Sequence, residues 1–241
     1  VVYSKIELCK SVDEIQHAAV RAVIQQLAIQ RGLEVHHDGD LPARSGMGSS
    51  SAFTVGLLNA LYALTGRMIG KHQLATEGIH IEQDILREVV GSQDQVSAAY
   101  GGFNHILFSP TGEISVRPVT IGYDRIRELN NHIMLFYTGI KRTAANIAST
   151  YVDGIEDKAQ KLRQMKEFVD EALAILNRPG CTHTFGELLN EAWQVKRSLS
   201  GAVSNPEVDR LYQDARAAGA LGGKLTGAGG GGFLLLFVPE A

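Results

Sequence analysis

Glycine is concentrated in one short stretch near the C-terminal end of the sequence. The chain of 241 residues contains 26 glycines, about 11% against a usual share of about 7%. Seven of them fall within residues 222–232. The four consecutive glycines at 229–232 cost folding entropy that a simple turn does not require. We therefore interpret this stretch as a functional loop whose backbone approaches another group, and a tight β-turn is the alternative.

The overall composition excludes several classes of protein. Apolar residues make up 44% and charged residues 20% of the chain, which favours a folded core over disorder. The formal net charge is −3 and no basic run occurs, which argues against a nucleic-acid or membrane-surface binder. Cys9 and Cys181 do not form a disulfide framework or a CxxC metal site. The longest strongly apolar run, residues 233–238, is too short to cross a membrane. These features predict a soluble, cytoplasmic protein.

Hydrophobic periodicity predicts an α+β fold in two lobes. In the first lobe it predicts strands at 1–8 and 33–37, a helix within 11–30, helices at 52–64 and 71–87, and a hairpin of 103–108 with 113–119. In the second it predicts a strand at 132–137, three helices near 143–177, 184–199 and 206–218, and a final strand at 233–238. The change in pattern near 122–130 predicts domains 1–125 and 126–241.

The segment from Gly46 to Ser51, with the sequence Gly-Met-Gly-Ser-Ser-Ser, leads directly into the predicted helix at 52–64. Glycines let backbone N–H groups approach an anion, and a helix N-terminus adds unpaired donors and partial positive charge. This pattern is typical of a phosphate-binding loop. The alternative is a flexible loop followed by a serine-capped helix. In either case Gly66 is predicted to follow the end of this helix as its C′ residue.

The C-terminal glycine loop does not match the common nucleotide-binding signatures. Gly227, Gly229 and Gly232 satisfy GxGxxG, but a strand and not a helix follows them. The Walker pattern also fails, because Leu225 follows Lys224 where Ser or Thr is required. What remains is a nearly bare backbone with one cation, Lys224, and one hydroxyl, Thr226. Such a loop is suited to packing against a nucleotide or a substrate anion.

Two carboxylates, Glu82 and Asp94, are the candidates for metal binding and catalysis. If both face the phosphate loop, Glu82 and a loop serine can hold Mg²⁺, and Asp94 can orient the attacking hydroxyl or accept its proton. The alternatives are a surface charge at either position and a helix N-cap at Asp94.

Three motifs together resemble the GHMP kinases, the superfamily of galactokinase, homoserine kinase, mevalonate kinase and phosphomevalonate kinase. These are Pro-x-x-x-Gly-Met-Gly-Ser-Ser-Ser-Ala at 42–52, Gln-Asp-Gln at 93–95 and Lys-Leu-Thr-Gly-Ala-Gly-Gly-Gly-Gly at 224–232. Met47 stands where the family usually has Leu. The resemblance implies a ribosomal-S5-like N-terminal lobe, a ferredoxin-like C-terminal lobe, and ATP and Mg²⁺ as cofactors.

The resemblance also implies a role for each matched residue. Asp94 is then the catalytic residue, and Ser50 and Glu82 are the metal ligands. ATP is bound by two sets of loop residues: Gly46, Met47, Gly48, Ser49, Ser50 and Ser51 in the first, and Thr226, Gly227, Gly229 and Gly230 in the second. A phosphorylated acceptor calls for cationic donors, for which the candidates are Arg142, Lys196 and Lys224. A solvated surface charge is the alternative for Lys196.

Other segments narrow the resemblance to the branch of the family that acts on a heptose phosphate. They are GSQDQVSAAYGGFNHILF at 91–108, LFYTGIKRTAANI at 135–147 and NEAWQVKRSLS at 190–200. The expected partner is therefore a small-molecule sugar phosphate, with no nucleic acid or membrane, and a homodimer is left open. Other family acceptors, or a non-catalytic nucleotide-binding relative, are the alternatives. The family's first motif has no counterpart and the chain begins with Val1, so we expect truncation at both ends.

Overall fold

The computed structural model describes residues 1–42, 45–140, 147, 150, 155–180 and 182–239. These residues form two compact units. The first comprises residues 1–42 and 48–118, and the second comprises residues 45–47 and 119–239. The division after residue 118 precedes the boundary predicted after 125, and the assignment of residues 45–47 to the second unit has no signal in the sequence. Within the described ranges, no helix has the length and apolarity needed to cross a membrane.

The described residues of the first unit form four α-helices and a hairpin. Their bounds are α1 Ala18–Gln26, α2 Ser49–Leu64, α3 Lys71–His80, α4 Gln93–Tyr100, β1 Asn104–Phe108 and β2 Ile114–Pro118. The two strands pair antiparallel, which confirms the predicted hairpin. The core is built around α2, whose buried residues Val55, Leu58 and Leu61 recur at helical spacing and pack with α1. Gly66 has φ of +71°, as predicted for the residue that follows the end of α2.

The strands predicted at 1–8 and 33–37 are wrong. Val2 makes only isolated bridges, to Ile6 and to His36. The alternation of apolar residues indicates extended backbone, but a strand also needs a partner along its length. In its place the carboxylate of Glu7 holds the turn before α1, accepting hydrogen bonds from the backbone N–H groups of Gln16 and His17 at 2.6 and 3.1 Å.

The helix predicted at 71–87 changes its winding before it ends. After α3 the chain forms a π-helical turn, Ile81–Ile85. Such turns insert one extra residue per turn, which rotates the side chains that follow, and they are frequent at functional sites. Ile81 and Glu82 are both buried in this turn. An acidic side chain is therefore directed into the core of the first unit.

The described residues of the second unit form four α-helices and a three-stranded sheet. Their bounds are α5 Tyr123–His132, β3 Ile133–Tyr137, α6 Ala159–Asn177, α7 His183–Arg197, α8 Pro206–Ala217, β4 Gly222–Leu225 and β5 Phe233–Phe237. The strand order is β3-β5-β4, with both pairings antiparallel. Trp193, the one tryptophan of the chain, is fully buried in the core between this sheet and the helices.

Two elements of the second unit, α5 and β4, were not predicted. The sequence of β4 begins with two glycines, and consecutive glycines indicate a turn. In the fold these glycines allow close packing, because a Cβ at Gly222 would overlap the carbonyl oxygen of Gly186 in α7. A Cβ at Gly223 would overlap the carbonyl oxygen of Leu235. Glycine in a strand can mark such a close backbone approach.

The N-terminus of α1 supports a prediction about stability and pH. His17 is the N-cap of α1 and its Nδ1 accepts from the N–H of Val20. Its pKa is lowered by burial and by the nearby His37, while Glu7 opposes the shift. Because the unfolded chain has the ordinary pKa of about 6.5, it gains the proton first as the pH falls. The free energy of unfolding should therefore decrease below about pH 6.5.

The variant His17→Asn tests this prediction, because asparagine keeps an N-cap acceptor but does not titrate. We expect the free energy of unfolding of the variant, from urea denaturation followed by circular dichroism, to fall less than that of the wild type between about pH 7 and pH 5. Equal losses in the two proteins contradict the assignment.

Candidate active site

The phosphate loop predicted at Gly46–Ser51 has two glycines in the left-handed region. Gly46 has φ of +78° and Gly48 has φ of +70°. Gly48 occupies the N-cap position of α2 and no side chain caps the helix there. The expectation of a serine N-cap is therefore wrong, because Ser49 is already the first helical residue. Backbone donors at the start of α2 are left for an anion, as the phosphate-loop interpretation requires.

A buried carboxylate lies directly behind this helix start. Glu82 is 1% exposed, and its Oε2 accepts hydrogen bonds from Ser51 Oγ at 2.7 Å and Gln95 Nε2 at 2.5 Å. Its Oε1 is buried and has no hydrogen-bond partner among the described residues. The serine that contacts Glu82 is thus Ser51, while Ser50, the predicted metal ligand, is exposed. A metal role for Ser50 stays a prediction.

Asp94 lies beside the same loop. It is in the first turn of α4, and a Cβ built on Gly48 would lie 3.2 Å from its Cγ. Burial raises the pKa of Asp94, and a hydrogen bond from Gln93 partly opposes this. A carboxylate with a raised pKa is a stronger base than an ordinary aspartate, which suits it to accept a proton from a hydroxyl. The first unit therefore brings Gly48, Ser51, Glu82 and Asp94 to one place.

The second unit holds Gly46 and Met47 of the phosphate loop, the predicted residues of the glycine loop, Lys196 and Lys224. Within this unit, a Cβ at Gly46 would lie 2.8 Å from the carbonyl oxygen of Thr226, and one at Gly227 would lie 2.9 Å from Gly46 Cα. The N–H of Phe233 donates to the carbonyl of Ser45 at 3.2 Å. The glycine loop is therefore close-packed against residues 45–46, and the tight-turn alternative does not explain it. Met47 is exposed.

The glycine loop is held at both ends. Where the loop begins and ends, the N–H and the hydroxyl of Thr226 both donate to the carbonyl of Phe233, at 2.9 and 3.2 Å. Further along, Gly230 donates to the carbonyl of Val203 at 2.7 Å and accepts from Asn205 Nδ2 at 3.0 Å. Val203 and Asn205 were not predicted as loop contacts, although Asn-Pro at 205–206 is a helix-start signal. A loop anchored in this way is preorganised for a ligand.

The predicted cations lie in different surroundings. Lys196, at the end of α7, donates from Nζ to the carbonyl oxygen of Gly227 at 2.5 Å. Lys224, on β4, is half-buried, and burial lowers the pKa of its ammonium group. No described residue accepts a hydrogen bond from Lys224 Nζ. Arg142, the third predicted acceptor ligand, lies outside the described residues.

The half-buried Lys224 supports a prediction about stability. An ammonium group that is partly removed from water and has no hydrogen-bond partner destabilises the fold. We expect Lys224→Met to raise the melting temperature of the ligand-free protein at neutral pH, followed by Trp193 fluorescence. Because the pKa is lowered in the fold, this penalty decreases as the pH rises toward the ordinary lysine pKa of about 10. Lys166→Met, at an exposed position of α6, is the control and should leave the melting temperature unchanged. A lower melting temperature for Lys224→Met contradicts the prediction.

Metal binding from protein side chains alone is not supported in the part of the chain that the structure describes. No three His, Cys, Asp or Glu side chains there are grouped closely enough to hold an ion. Mg²⁺ commonly takes only one or two protein carboxylates and completes its shell with phosphate oxygens and water. The free Oε1 of Glu82 fits such a partial site.

The chain is similar in sequence to known proteins over most of its length. Family models described as GHMP kinases N terminal domain and GHMP kinases C terminal match residues 14–102 and 165–241. A D-glycero-alpha-D-manno-heptose 7-phosphate kinase from Campylobacter jejuni is 32% identical over 85% of this chain, which spans 60% of the length of that relative. A mevalonate kinase from Pyrococcus horikoshii is 27% identical over 99% of this chain and 70% of its own length.

The fold is also that of a solved structure. A D-glycero-D-manno-heptose 1-phosphate kinase from Bacteroides thetaiotaomicron has a TM-score of 0.69, with 24% identity over 99% of this chain and 67% of the other. This confirms the expected α+β fold. The N- and C-terminal models match in the expected order and include the loops and carboxylates described above, and the chain therefore belongs to the GHMP kinase family.

Proposed function

We propose that this chain forms the catalytic part of an ATP- and Mg²⁺-dependent kinase that transfers the γ-phosphoryl group to a hydroxyl of a small sugar phosphate. The observation that carries the proposal is the position of the Asp94 carboxyl group beside the backbone of Gly48, at the uncapped start of α2. Donors for phosphate and a base for the acceptor hydroxyl then lie within one unit.

The transfer itself needs little covalent participation by the protein. A bond forms between the acceptor oxygen and the γ-phosphorus, and the bond from that phosphorus to the β–γ bridging oxygen breaks, so that ADP leaves. The proton of the acceptor hydroxyl passes to Asp94. The N–H groups at the start of α2 stabilise negative charge on the phosphate oxygens. The chemistry thus depends on positioning and electrostatics.

The residues around Glu82 fit a magnesium ion bound together with the nucleotide. Glu82 Oε1 supports this assignment, because a buried carboxylate oxygen without a hydrogen-bond partner is a suitable ligand for a hard cation. Ser51 and Gln95 fix the carboxylate through its other oxygen. When bound, Mg²⁺ neutralises charge on the nucleotide phosphates. We propose Glu82 as the protein ligand, with Ser51 or Ser50 as the neighbouring hydroxyl.

The proposed acceptor is D-glycero-D-manno-heptose 7-phosphate, phosphorylated at C1. Its support is the 32% identity with the Campylobacter jejuni kinase named for that substrate. Mevalonate and fucose are the alternatives, since proteins named mevalonate kinase and L-fucokinase/L-fucose-1-P guanylyltransferase are 27% and 28% identical to this chain. A nucleotide-binding relative without catalysis is the alternative from a different class.

The test is a panel of acceptors incubated with the protein, ATP and Mg²⁺, with formation of ADP and of the phosphorylated product both measured. We expect turnover with heptose 7-phosphate and a product phosphorylated at C1. Turnover with mevalonate or fucose but not with the heptose phosphate contradicts the acceptor. Tight ATP binding without transfer to any acceptor contradicts the kinase proposal and favours the non-catalytic alternative.

A further inference from the structure

The ammonium group of Lys196 lies on the backbone of the glycine loop. Lys196 is in the last turn of α7, is half-buried, and donates to the carbonyl oxygen of Gly227 at 2.5 Å. Gly227 has φ of +65° and, like Thr226, packs on Gly46. A charge-assisted hydrogen bond therefore fixes the loop where it contacts the segment at 45–47.

Fixing this carbonyl also fixes the direction of a backbone donor. The Gly227 carbonyl and the Ala228 N–H belong to one planar trans peptide, in which C=O and N–H point in opposite directions. A carbonyl held toward Lys196 therefore turns the Ala228 N–H away from Lys196. No described residue accepts a hydrogen bond from that N–H. The Ala228 N–H is thus held in a fixed direction and is available to donate a hydrogen bond to a ligand.

The other anchors of the loop do not reach this peptide. Thr226 is hydrogen-bonded to Phe233, where the loop begins and ends, and Gly230 is hydrogen-bonded to Val203 and Asn205. Among hydrogen bonds between described residues, the bond from Lys196 is the one that involves residues 227 and 228. Glycine on one side of this peptide leaves it free to rotate when the bond is absent.

We propose that Lys196 is a positioning residue: it holds the Gly227–Ala228 peptide so that the Ala228 N–H is oriented as a donor to an anionic ligand, for which the proposed function supplies a phosphate group of the nucleotide. The inference rests on the proposed function and changes the role predicted for Lys196, which was that of a ligand to the acceptor. The positive charge next to the carbonyl also polarises the peptide, which makes its N–H a better donor to an anion.

The experiment compares Lys196→Met, Lys196→Arg and Lys161→Met with the wild type. Arginine keeps a charged donor, and Lys161 is a matched control because its Nζ donates to the backbone carbonyl of Ser198 at 2.7 Å and not to a residue of the loop. Affinity is measured by titrating a fluorescent ATP analogue, without turnover. Hydrogen exchange at residues 224–235 reports on the loop.

We expect Lys196→Met to bind the analogue about tenfold more weakly and to exchange faster in the loop, while Lys161→Met matches the wild type. Arginine should restore most of the affinity. Unchanged nucleotide affinity in Lys196→Met, or a raised KM for the acceptor alone, overturns the inference and favours direct acceptor binding. If the wild type binds no ATP analogue, the proposed function fails, and unchanged exchange in Lys196→Met then also overturns the positioning role.

Discussion

Replacing Asp94 with Asn should leave ATP binding nearly intact and reduce the turnover number by a factor on the order of 10² or more. The substitution preserves the size of the side chain next to Gly48 but removes the group that accepts the proton of the acceptor hydroxyl. Turnover is measured at saturating ATP and acceptor, and nucleotide affinity is measured separately by titration. An unchanged turnover number refutes the catalytic assignment of Asp94.

A matched control for this substitution is available in the same unit. Asp84→Asn makes the same chemical change at an exposed aspartate that pairs with His80, and we expect its turnover to equal that of the wild type. The pH dependence adds a second test. Because burial raises the pKa of Asp94, the wild type should lose activity with falling pH at a higher pH than an ordinary aspartate would set. This acidic limb should be absent from the residual activity of Asp94→Asn.

The second large effect is expected on stability, from Gly232→Ala. Gly232 has φ of +94°, and a Cβ there would overlap the carbonyl oxygen of Ser45. Alanine in a left-handed conformation costs about 1–2 kcal/mol, and the clash with backbone adds about 1–3 kcal/mol. We therefore expect a loss of about 3 kcal/mol in the free energy of unfolding of the second unit. Trp193, the one tryptophan, reports on that unit in urea denaturation followed by fluorescence.

The variant Gly219→Ala separates strain from steric overlap. Gly219 has φ of +107°, but a Cβ there would meet no atom within 4 Å. Both glycines belong to the second unit and are followed by the same fluorescence. Gly219→Ala should therefore lose only the conformational contribution, about 1–2 kcal/mol. Equal losses in the two variants would show that close packing against Ser45 does not stabilise the loop.

The sequence predicted the helices well where their apolar residues recur at regular spacing. The helices α2 and α8 and the hairpin β1–β2 lie within a few residues of their predicted bounds. The strand β4 was missed because its glycines serve close approach to α7, which depends on a helix far away in sequence. The strands at 1–8 and 33–37 were wrong for a related reason, since local alternation does not reveal whether a pairing partner is present.

Some residues of the candidate site were predicted from the sequence and others were not. Motif spacing identified Gly48, Glu82 and Asp94, which the first unit brings together. It did not identify Ser51 as the serine that contacts Glu82, because the three consecutive serines differ only in the direction that α2 gives each one. The π-helical turn at Ile81–Ile85, which buries Glu82, also has no signal in the spacing.

What the sequence determined by itself is the chemistry that is available: two glycine-rich loops, one helix start and a small set of carboxylates and cations. Their order along the chain was enough to indicate the family. Only the tertiary structure decided which groups meet, because contacts such as Lys196 with Gly227 or Ser45 with Phe233 join residues far apart in sequence. Hydrogen bonds and van der Waals contacts depend on distance in space, which local patterns do not encode.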